Sequence, residues 1–302
     1  MQNLTTLVLI LTPLLIGFAL PKSPKLTHLA DDIIRYLVII ILTYIGIELS
    51  QVSGLLNQID EIFKHVTLLA FLTLSFGIVA LWLFDKVLPW HAHTTQKTTQ
   101  HKVSIRGSLL QVLCVVIGLI IGRFIPHEYL PPDFTMTALL MVLILIVGIG
   151  LKGSGITLKE VLINKRGVQI SVIFTLVVLL AGVVYSLIMP DVSLFKGLAL
   201  SSGFGWYSLS AVVMTDNYGA VWGTIALLND LIREFFALIF IPFIMRRSVS
   251  AGVTVGGVTS LDFTLPVIQQ SGGLAVVPLT ISFGFITNII SPILMVLFAS
   301  FG

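Results

Sequence analysis

Ionisable side chains are scarce in this sequence, and four of them interrupt long apolar runs where they could carry chemistry. Asp230, Arg233 and Glu234 lie in the run LLNDLIREFF, and Glu48 lies near the end of TYIGIELS. Such groups are costly inside an apolar segment unless they are paired or hydrated, so each is a functional candidate. Asp230 and Glu234 are four residues apart and share a helix face with Arg233 nearby. One carboxylate can balance Arg233, which leaves the second for a functional role; the alternative is an ion pair that only locks two helices together.

A second group of candidates consists of small and polar residues in two glycine-rich stretches, 193–215 and 252–272. Broken helices expose backbone N–H and C=O groups, and a positive helix end can hold a substrate carboxylate. The candidates are Ser201, Ser202, Gly203, Gly205, Asp216 and Asn217 in and beside the first stretch, and Gly256, Gly257, Thr259, Ser260 and Asn288 in and after the second. For each of them the alternative is the packing of small residues between helices.

The elements that position these residues must lie in lipid. Hydrophobic residues make up 56% of the chain and charged residues 10%, with a mean hydropathy of +1.05. Soluble domains carry about 25% charged residues. Apolar runs able to cross about 30 Å of hydrocarbon lie at 4–20, 33–49, 65–84, 108–125, 136–151, 168–189, 219–245 and 274–300. The sequence predicts an all-α integral membrane protein with about eight transmembrane helices, for which the lipid bilayer is the first partner.

The lysines and arginines predict the orientation of these helices, because basic loops stay in the cytoplasm. Basic loops follow the first, third and fifth apolar runs, and Arg246 and Arg247 follow the run 219–245. The stretch 193–215 must then begin and end outside, which predicts a re-entrant, broken segment. The stretch 252–272 is predicted to enter in the same way from the cytoplasm. Both termini and the 126–135 loop are therefore expected outside, and 91–106 inside.

Two weak internal similarities predict inverted repeats. The run LLIGFALP, ending at Pro21, resembles LIIGRFIP, ending at Pro126, and YIGIELS resembles IVGIGLK. These pairs predict a scaffold-like domain, 1–192, of two inverted three-helix repeats at 1–90 and 107–192, joined by the polar linker 91–106. A shift of 54 residues places Gly203 on Gly257 and Gly219 on Gly273. This predicts a transport-like domain, 193–302, of two inverted hairpin-plus-helix repeats. The alternative is chance similarity between apolar sequences.

Other function classes have little support. The net charge of +3 comes without a basic block, so nucleic acid is not expected as a partner. Cys114 reads as a small buried hydrophobe, and His91, His93 and His101 read as a solvated linker rather than as a metal site. Enzymatic motifs such as HExxH, a P-loop or GxSxG do not occur, and no cofactor is expected.

Three runs carry a family resemblance: SSGFGWYSLSAVVMTDNYGAVWGTIALLNDLIREFFALIFIPF at 201–243, GGVTSLDFTLPVIQQSGG at 256–273, and YIGIELS. In these runs, and in length and segment order, the chain resembles the bacterial LysO-type lysine exporters. The resemblance implies a multi-pass protein of the bacterial inner membrane that exports L-lysine and analogues such as thialysine. It also implies that the paired intramembrane acidic positions of that family fall on Glu48 and Glu234.

The leading expectation is a secondary transporter that exports a small cationic amino acid by antiport, with H+ or Na+ as the coupling ion. Three alternatives stay open at this point: a sodium/proton antiporter that uses the same acidic pair, a holin-like pore or structural membrane protein, and an intramembrane enzyme. The chain could also form a homodimer.

Overall fold

The protein is described by a computed structural model. It describes residues 12–13, 16–17, 19–21, 23–51, 55–90, 106–126, 130–132, 134–153, 164–261 and 263–302. The helices are α1 Pro24–Ser50, α2 Leu55–Val87, α3 Arg106–Gly122, α4 Phe134–Gly153, α5 Lys165–Ile188, α6 Leu194–Ser201, α7 Tyr207–Tyr218, α8 Ala220–Met245, α9 Val249–Thr254, α10 Leu265–Gly272 and α11 Val277–Ala299. Two short 3₁₀ helices, Gly257–Leu261 and Leu274–Val276, flank α10. No β-strand occurs among these described residues.

The helices follow the predicted apolar runs closely. Three of them, Gln58–Val87 within α2, Lys165–Ile188 and Val277–Ala299, are long and apolar enough to cross a membrane. The predicted all-α membrane class is thereby confirmed. Most of the predicted span 4–20 and nearly all of the linker 91–106, including its three histidines, lie outside the described residues.

Glycines allow the N-terminal helices to pack at very short range. A Cβ added to Gly46 of α1 would meet the backbone of Gly118 of α3 at 2.9 Å, and α1 packs extensively along α3. A Cβ on Gly17 would meet the backbone of Ile149 and Gly148 in α4 at 3.0 and 3.2 Å. A side chain at either glycine would therefore force the two helices apart.

Helices α2 and α5 also pack together, and a polar cluster joins their neighbours at one end. Asp85 of α2 accepts hydrogen bonds from Arg166 of α5 and from the hydroxyls of Ser248 and Ser250, at the start of α9. The backbone N–H of Ser250 donates to the same carboxylate at 2.9 Å. This cluster fixes the position at which α9 begins.

A second polar cluster lies at the opposite end of the same two helices. There the Nδ1 atom of His65 of α2 is 2.6 Å from the hydroxyl of Tyr185 of α5, and its Nε2 is 3.1 Å from the carboxylate of Asp191. His65 and Asp85 are 20 residues apart on one continuous helix, which is about 30 Å. This distance matches the thickness of a hydrocarbon core.

Two interruptions of the helical backbone face each other between these polar ends. The first break lies at residues 202–206, between α6 and α7, and the second at 255–256, between α9 and the 3₁₀ helix Gly257–Leu261. The N–H of Val258 donates to the carbonyl of Phe204 at 2.9 Å, so the two breaks touch. Gly205 and Gly257 have φ angles of 89° and 64°, in the region that favours glycine. A Cβ on Gly257 would collide with the Phe204 carbonyl. The predicted broken segments are therefore present.

Candidate functional site

The candidate site is built on α8, which crosses both breaks and carries four polar residues, Asn229, Asp230, Arg233 and Glu234, on one face. Asn229 and Arg233 are four residues apart, as are Asp230 and Glu234, so their side chains cluster along this face. The four residues are buried, with relative exposures of 2% for Asn229, 0% for Asp230, 2% for Arg233 and 2% for Glu234. Buried charges are tolerated only where other groups satisfy them.

Asp230 is satisfied by the first break. Its carboxylate accepts hydrogen bonds from the backbone N–H of Gly205 at 3.1 Å, from the amide of Asn229 at 3.0 Å and from the hydroxyl of Ser210. Gly203 allows this approach, because a Cβ there would lie 2.6 Å from the carboxylate. Gly205 and Ser210 flank the start of α7, where an anion is stabilised by the helix dipole.

Arg233 is directed to the second break. Its guanidinium donates to the carbonyl of Val255 at 3.3 Å, just after the last residue of α9. A cation is stabilised at this end of a helix. The Phe174 ring of α5 lies 5.8 Å from the guanidinium carbon and packs edge-on against Phe204 of the first break, at 5.3 Å between centroids. Asp230 and Arg233 also attract each other through their opposite charges.

Helix α11 binds the same two breaks from another side. The hydroxyl of Ser291 donates to the carbonyls of Ser202 and Gly203 at 2.8 and 3.1 Å. The amide of Asn288 donates to the carbonyl of Val258 at 3.2 Å and to that of Gly284 at 2.7 Å. Each break is therefore held by one side chain from α8, and α11 holds the first break and the 3₁₀ helix that follows the second.

Two buried atoms of the α8 face form no hydrogen bond with the residues that the structure describes. They are the Nε donor of Arg233 and the Oδ1 acceptor of Asn229. Buried polar atoms of native proteins nearly always have a partner, so this donor and this acceptor are available to water or to a ligand. The face offers one donor from a cation, one neutral acceptor and the nearby carboxylate of Glu234.

The structure brings most of the predicted site residues together. Asp230, Arg233, Glu234, Gly203, Gly205, Gly257, Ser202 and Asn288 lie at or around the two breaks. The hydroxyl of Ser260 is turned to its own segment and donates to the carbonyl of Val253 at 2.6 Å. Asp216 and Asn217 lie exposed at the end of α7, and Asn217 donates to the carbonyl of Val213 in its own helix. Glu48 lies in the last turn of α1, and its side chain is outside those described.

Sequence reasoning missed the roles of two hydroxyls, those of Ser210 and Ser291. Both stand in otherwise apolar helical surroundings, which is a signal, but their partners are 20 and about 90 residues away. The pairing of Asp85 with Arg166 was also not predicted, because in the sequence each residue is only a charged residue at the end of an apolar run.

Comparison with known proteins gives a family. The family model described as Lysine exporter LysO matches residues 112–299. The chain is 35% identical over 301 residues to the Lysine exporter LysO of Escherichia coli (strain K12), covering 97% of this chain and 99% of the relative. It is 47% identical over 189 residues to a Putative lysine exporter of Haemophilus influenzae, covering 62% of this chain and 95% of the relative. No solved structure matches. This chain is thus a multi-pass membrane protein that belongs to the LysO lysine exporter family.

Proposed function

We propose that this protein exports L-lysine, and analogues such as thialysine, from the cytoplasm. Both relatives are named as lysine exporters. The observation that carries the proposal is the buried face of α8, where Glu234 lies beside the orphaned donor of Arg233 and the orphaned acceptor of Asn229. A lysine molecule has two ammonium groups that need acceptors and one carboxylate that needs a donor, and charged hydrogen bonds of this kind are strong.

The groups of the site can be matched to those of the substrate. Glu234, together with Glu48, binds the side-chain ammonium. The Nε of Arg233 donates to the substrate carboxylate, and the Oδ1 of Asn229 accepts from the α-ammonium. Helices α1 and α8 pack against each other, and the pairing of their two glutamates is what the family resemblance implies. Asp230 is not assigned to the substrate, because three donors already occupy its carboxylate.

Release on the outside follows from protonation. A carboxylate that takes up a proton loses its attraction for ammonium. Protons entering from outside would neutralise Glu48 and Glu234 and displace lysine outwards, which is antiport in physical terms. Na+ could neutralise the same carboxylates in their charged form. The carrier cycle then moves one lysine out while the protons that neutralise the two carboxylates enter.

The proposed topology places both termini outside the bacterial inner membrane. The cluster of Asp85, Arg166 and Ser250 supports it, because it gathers three regions that the basic loops assign to the cytoplasm. Asp230 is the eleventh residue of α8, so it lies about 16 Å from the start of that helix. This depth supports two re-entrant segments that meet near the midplane.

We further propose the two-domain division at residue 192, for which the paired contacts of Gly17 with α4 and Gly46 with α3 are supporting evidence.

The experiment uses proteoliposomes loaded with labelled lysine. Efflux is measured with and without an imposed pH gradient, and then with a sodium gradient. We expect the coupling gradient to accelerate lysine efflux through the parent protein. Efflux through Glu234→Gln and through Glu48→Gln should fall to the rate of lysine-loaded liposomes that contain no protein. Asp60→Asn removes an exposed carboxylate of α2 and is the matched control, with efflux unchanged.

Each alternative has its own outcome in the same liposomes. A sodium/proton antiporter would exchange Na+ for H+ without lysine, and a pore would show discrete unitary currents. If both Gln variants released lysine at the parent rate, the acidic-pair mechanism would be wrong, and the site would have to consist of the polar groups at the breaks.

A further inference from the structure

A cavity of about 130 Å³ lies at the end of α2 opposite Asp85, and no residue of the two breaks lines it. Its lining includes Glu61, His65 and Asp191, and the possible ligand atoms of these three side chains all lie within 4.8 Å of one another. The volume has room for an ion with several water molecules, each of which takes about 30 Å³. The proposed export mechanism uses none of these residues.

The imidazole of His65 is held in a fixed orientation. Its side chain is 3% exposed, and its Nδ1 lies 2.6 Å from the hydroxyl of the fully buried Tyr185. In the metal-free protein Nε2–H donates to the carboxylate of Asp191, 3.1 Å away, and Nδ1 accepts from the Tyr185 hydroxyl. In the other tautomer Nδ1–H donates to that hydroxyl, and Nε2 is then able to bind a cation. A partner on the second ring nitrogen is the arrangement found for histidines that bind metals, where it fixes the tautomer and the ring plane.

The two carboxylates complete a site for a cation. Asp191 is 45% exposed at its side chain, and Glu61 is exposed, so an ion can enter from water. Lys196 lies near enough to attract Asp191, but its ammonium is on the Trp222 ring, 4.2 Å from the centroid. If the charge of Lys196 balances the carboxylate of Asp191, the carboxylate of Glu61 still gives the cavity a net negative charge.

From this geometry we propose that Glu61, His65 and Asp191 bind a divalent transition-metal ion, for which Zn2+ is the probe. One imidazole and two carboxylates favour Zn2+ or Mn2+ over Mg2+ or Ca2+, which prefer oxygen ligands alone. Ligands at about 2.0–2.2 Å in a tetrahedron stand roughly 3.3 Å apart, close to the distance between His65 and Asp191. Water from the cavity fills the fourth position.

Occupancy would have a mechanical consequence. Asp191 lies two residues before Ser193, whose hydroxyl caps the start of α6 by accepting from the N–H of Lys196. His65 and Asp191 already join α2 to the beginning of the first broken segment, and a bound ion would strengthen that link. The site does not depend on lysine export, since metal binding is measured on the purified protein without substrate.

The test is calorimetric titration of Zn2+ into the full-length protein in detergent. The protein carries no polyhistidine tag, and His91, His93 and His101 are replaced by Asn to remove the imidazoles of the linker. We expect one ion per chain, no binding by His65→Gln, and binding weakened about tenfold or more by Glu61→Gln and Asp191→Asn. Tyr185→Phe should weaken binding about tenfold through the imidazole alone.

Asp60→Asn is the matched control, because it removes an exposed carboxylate one residue from Glu61 that does not belong to the cluster. Its affinity should equal that of the parent. Glu61→Gln keeps the test decisive if His65→Gln fails to fold, because Glu61 is exposed and its loss should leave the metal-free melting temperature unchanged. The proposal is overturned if the parent binds no Zn2+, or if Glu61→Gln and Asp191→Asn bind it as tightly as the parent.

Discussion

The two breaks of the helical backbone touch each other, yet they present opposite polarity to α8. At the first break the groups that face α8 are hydrogen-bond donors near the start of α7. They are the N–H of Gly205 and the hydroxyl of Ser210, and both donate to the carboxylate of Asp230. At the second break the group that faces α8 is a hydrogen-bond acceptor, the carbonyl of Val255 at the end of α9. The guanidinium of Arg233 donates to it. Each side chain thus has the charge that its helix end favours.

This difference separates the charges of α8 by role. Asp230 binds the start of α7 and Arg233 binds the end of α9. Both residues therefore hold the breaks in place, and we assign them a structural role. Glu234 lies one turn from Asp230 and is equally buried, and it is the residue to which the export proposal assigns the side-chain ammonium of lysine. We therefore expect loss of Arg233 or Asp230 to change stability, and loss of Glu234 to change lysine binding.

The largest stability effect is expected at Arg233. Replacing it with Met keeps much of the side-chain volume but leaves Asp230 buried without its counter-charge and the Val255 carbonyl without its donor. Breaking a buried ion pair in direct contact costs about 3–5 kcal/mol. Because these two charges attract each other while each is hydrogen-bonded to a different break, we expect a loss at the lower end, about 3 kcal/mol. Thermal unfolding of the purified protein in detergent measures the loss. Arg233→Lys is the control, since it keeps the charge and should cost less. A Met variant as stable as the parent would contradict the split of charges between the breaks.

The contact between the breaks gives the next largest effect. A Cβ on Gly257 would collide with the Phe204 carbonyl, so Gly257→Ala must break the hydrogen bond from Val258 or push the segments apart. We expect a loss of about 2–3 kcal/mol in stability, from backbone strain together with the lost hydrogen bond, with slower lysine efflux.

Gly219→Ala is the matched control for Gly257→Ala. Gly219 has a φ of 90° and a ψ of 169°, a conformation at least as unfavourable for Ala. No atom of the described part of the chain lies within 4 Å of the position of its added Cβ. A larger loss at Gly257 than at Gly219 would therefore come from the contact between the breaks. A Gly257→Ala variant as stable as the parent would show that the contact contributes nothing.

The sequence was sufficient to predict the helices and the breaks, because apolar length and clustered glycines act locally. The run 219–245 became α8, Ala220–Met245, and the glycine-rich stretches became the two interrupted segments. Partners could not be predicted in the same way. Asp85 reads as the polar end of a span, and only the folded chain places Arg166 and Ser250 on its carboxylate. The cluster of Glu61, His65 and Asp191 likewise joins residues more than 120 positions apart in the chain.

The smallest effect is expected from Ser291, and it tests whether α11 supports the first break as α8 does. Its hydroxyl donates to the carbonyls of Ser202 and Gly203, so Ser291→Ala removes a neutral hydrogen bond worth about 1 kcal/mol. Ser300→Ala is the control, because that hydroxyl donates only within its own helix end, to Leu297, and its loss should be smaller. The decisive measurement is the double variant with Asp230→Asn, in thermal unfolding. If both side chains hold the same break, their losses will not add, since neighbouring groups that share a partner are coupled. Losses that add fully would mean that α8 and α11 act on the first break independently.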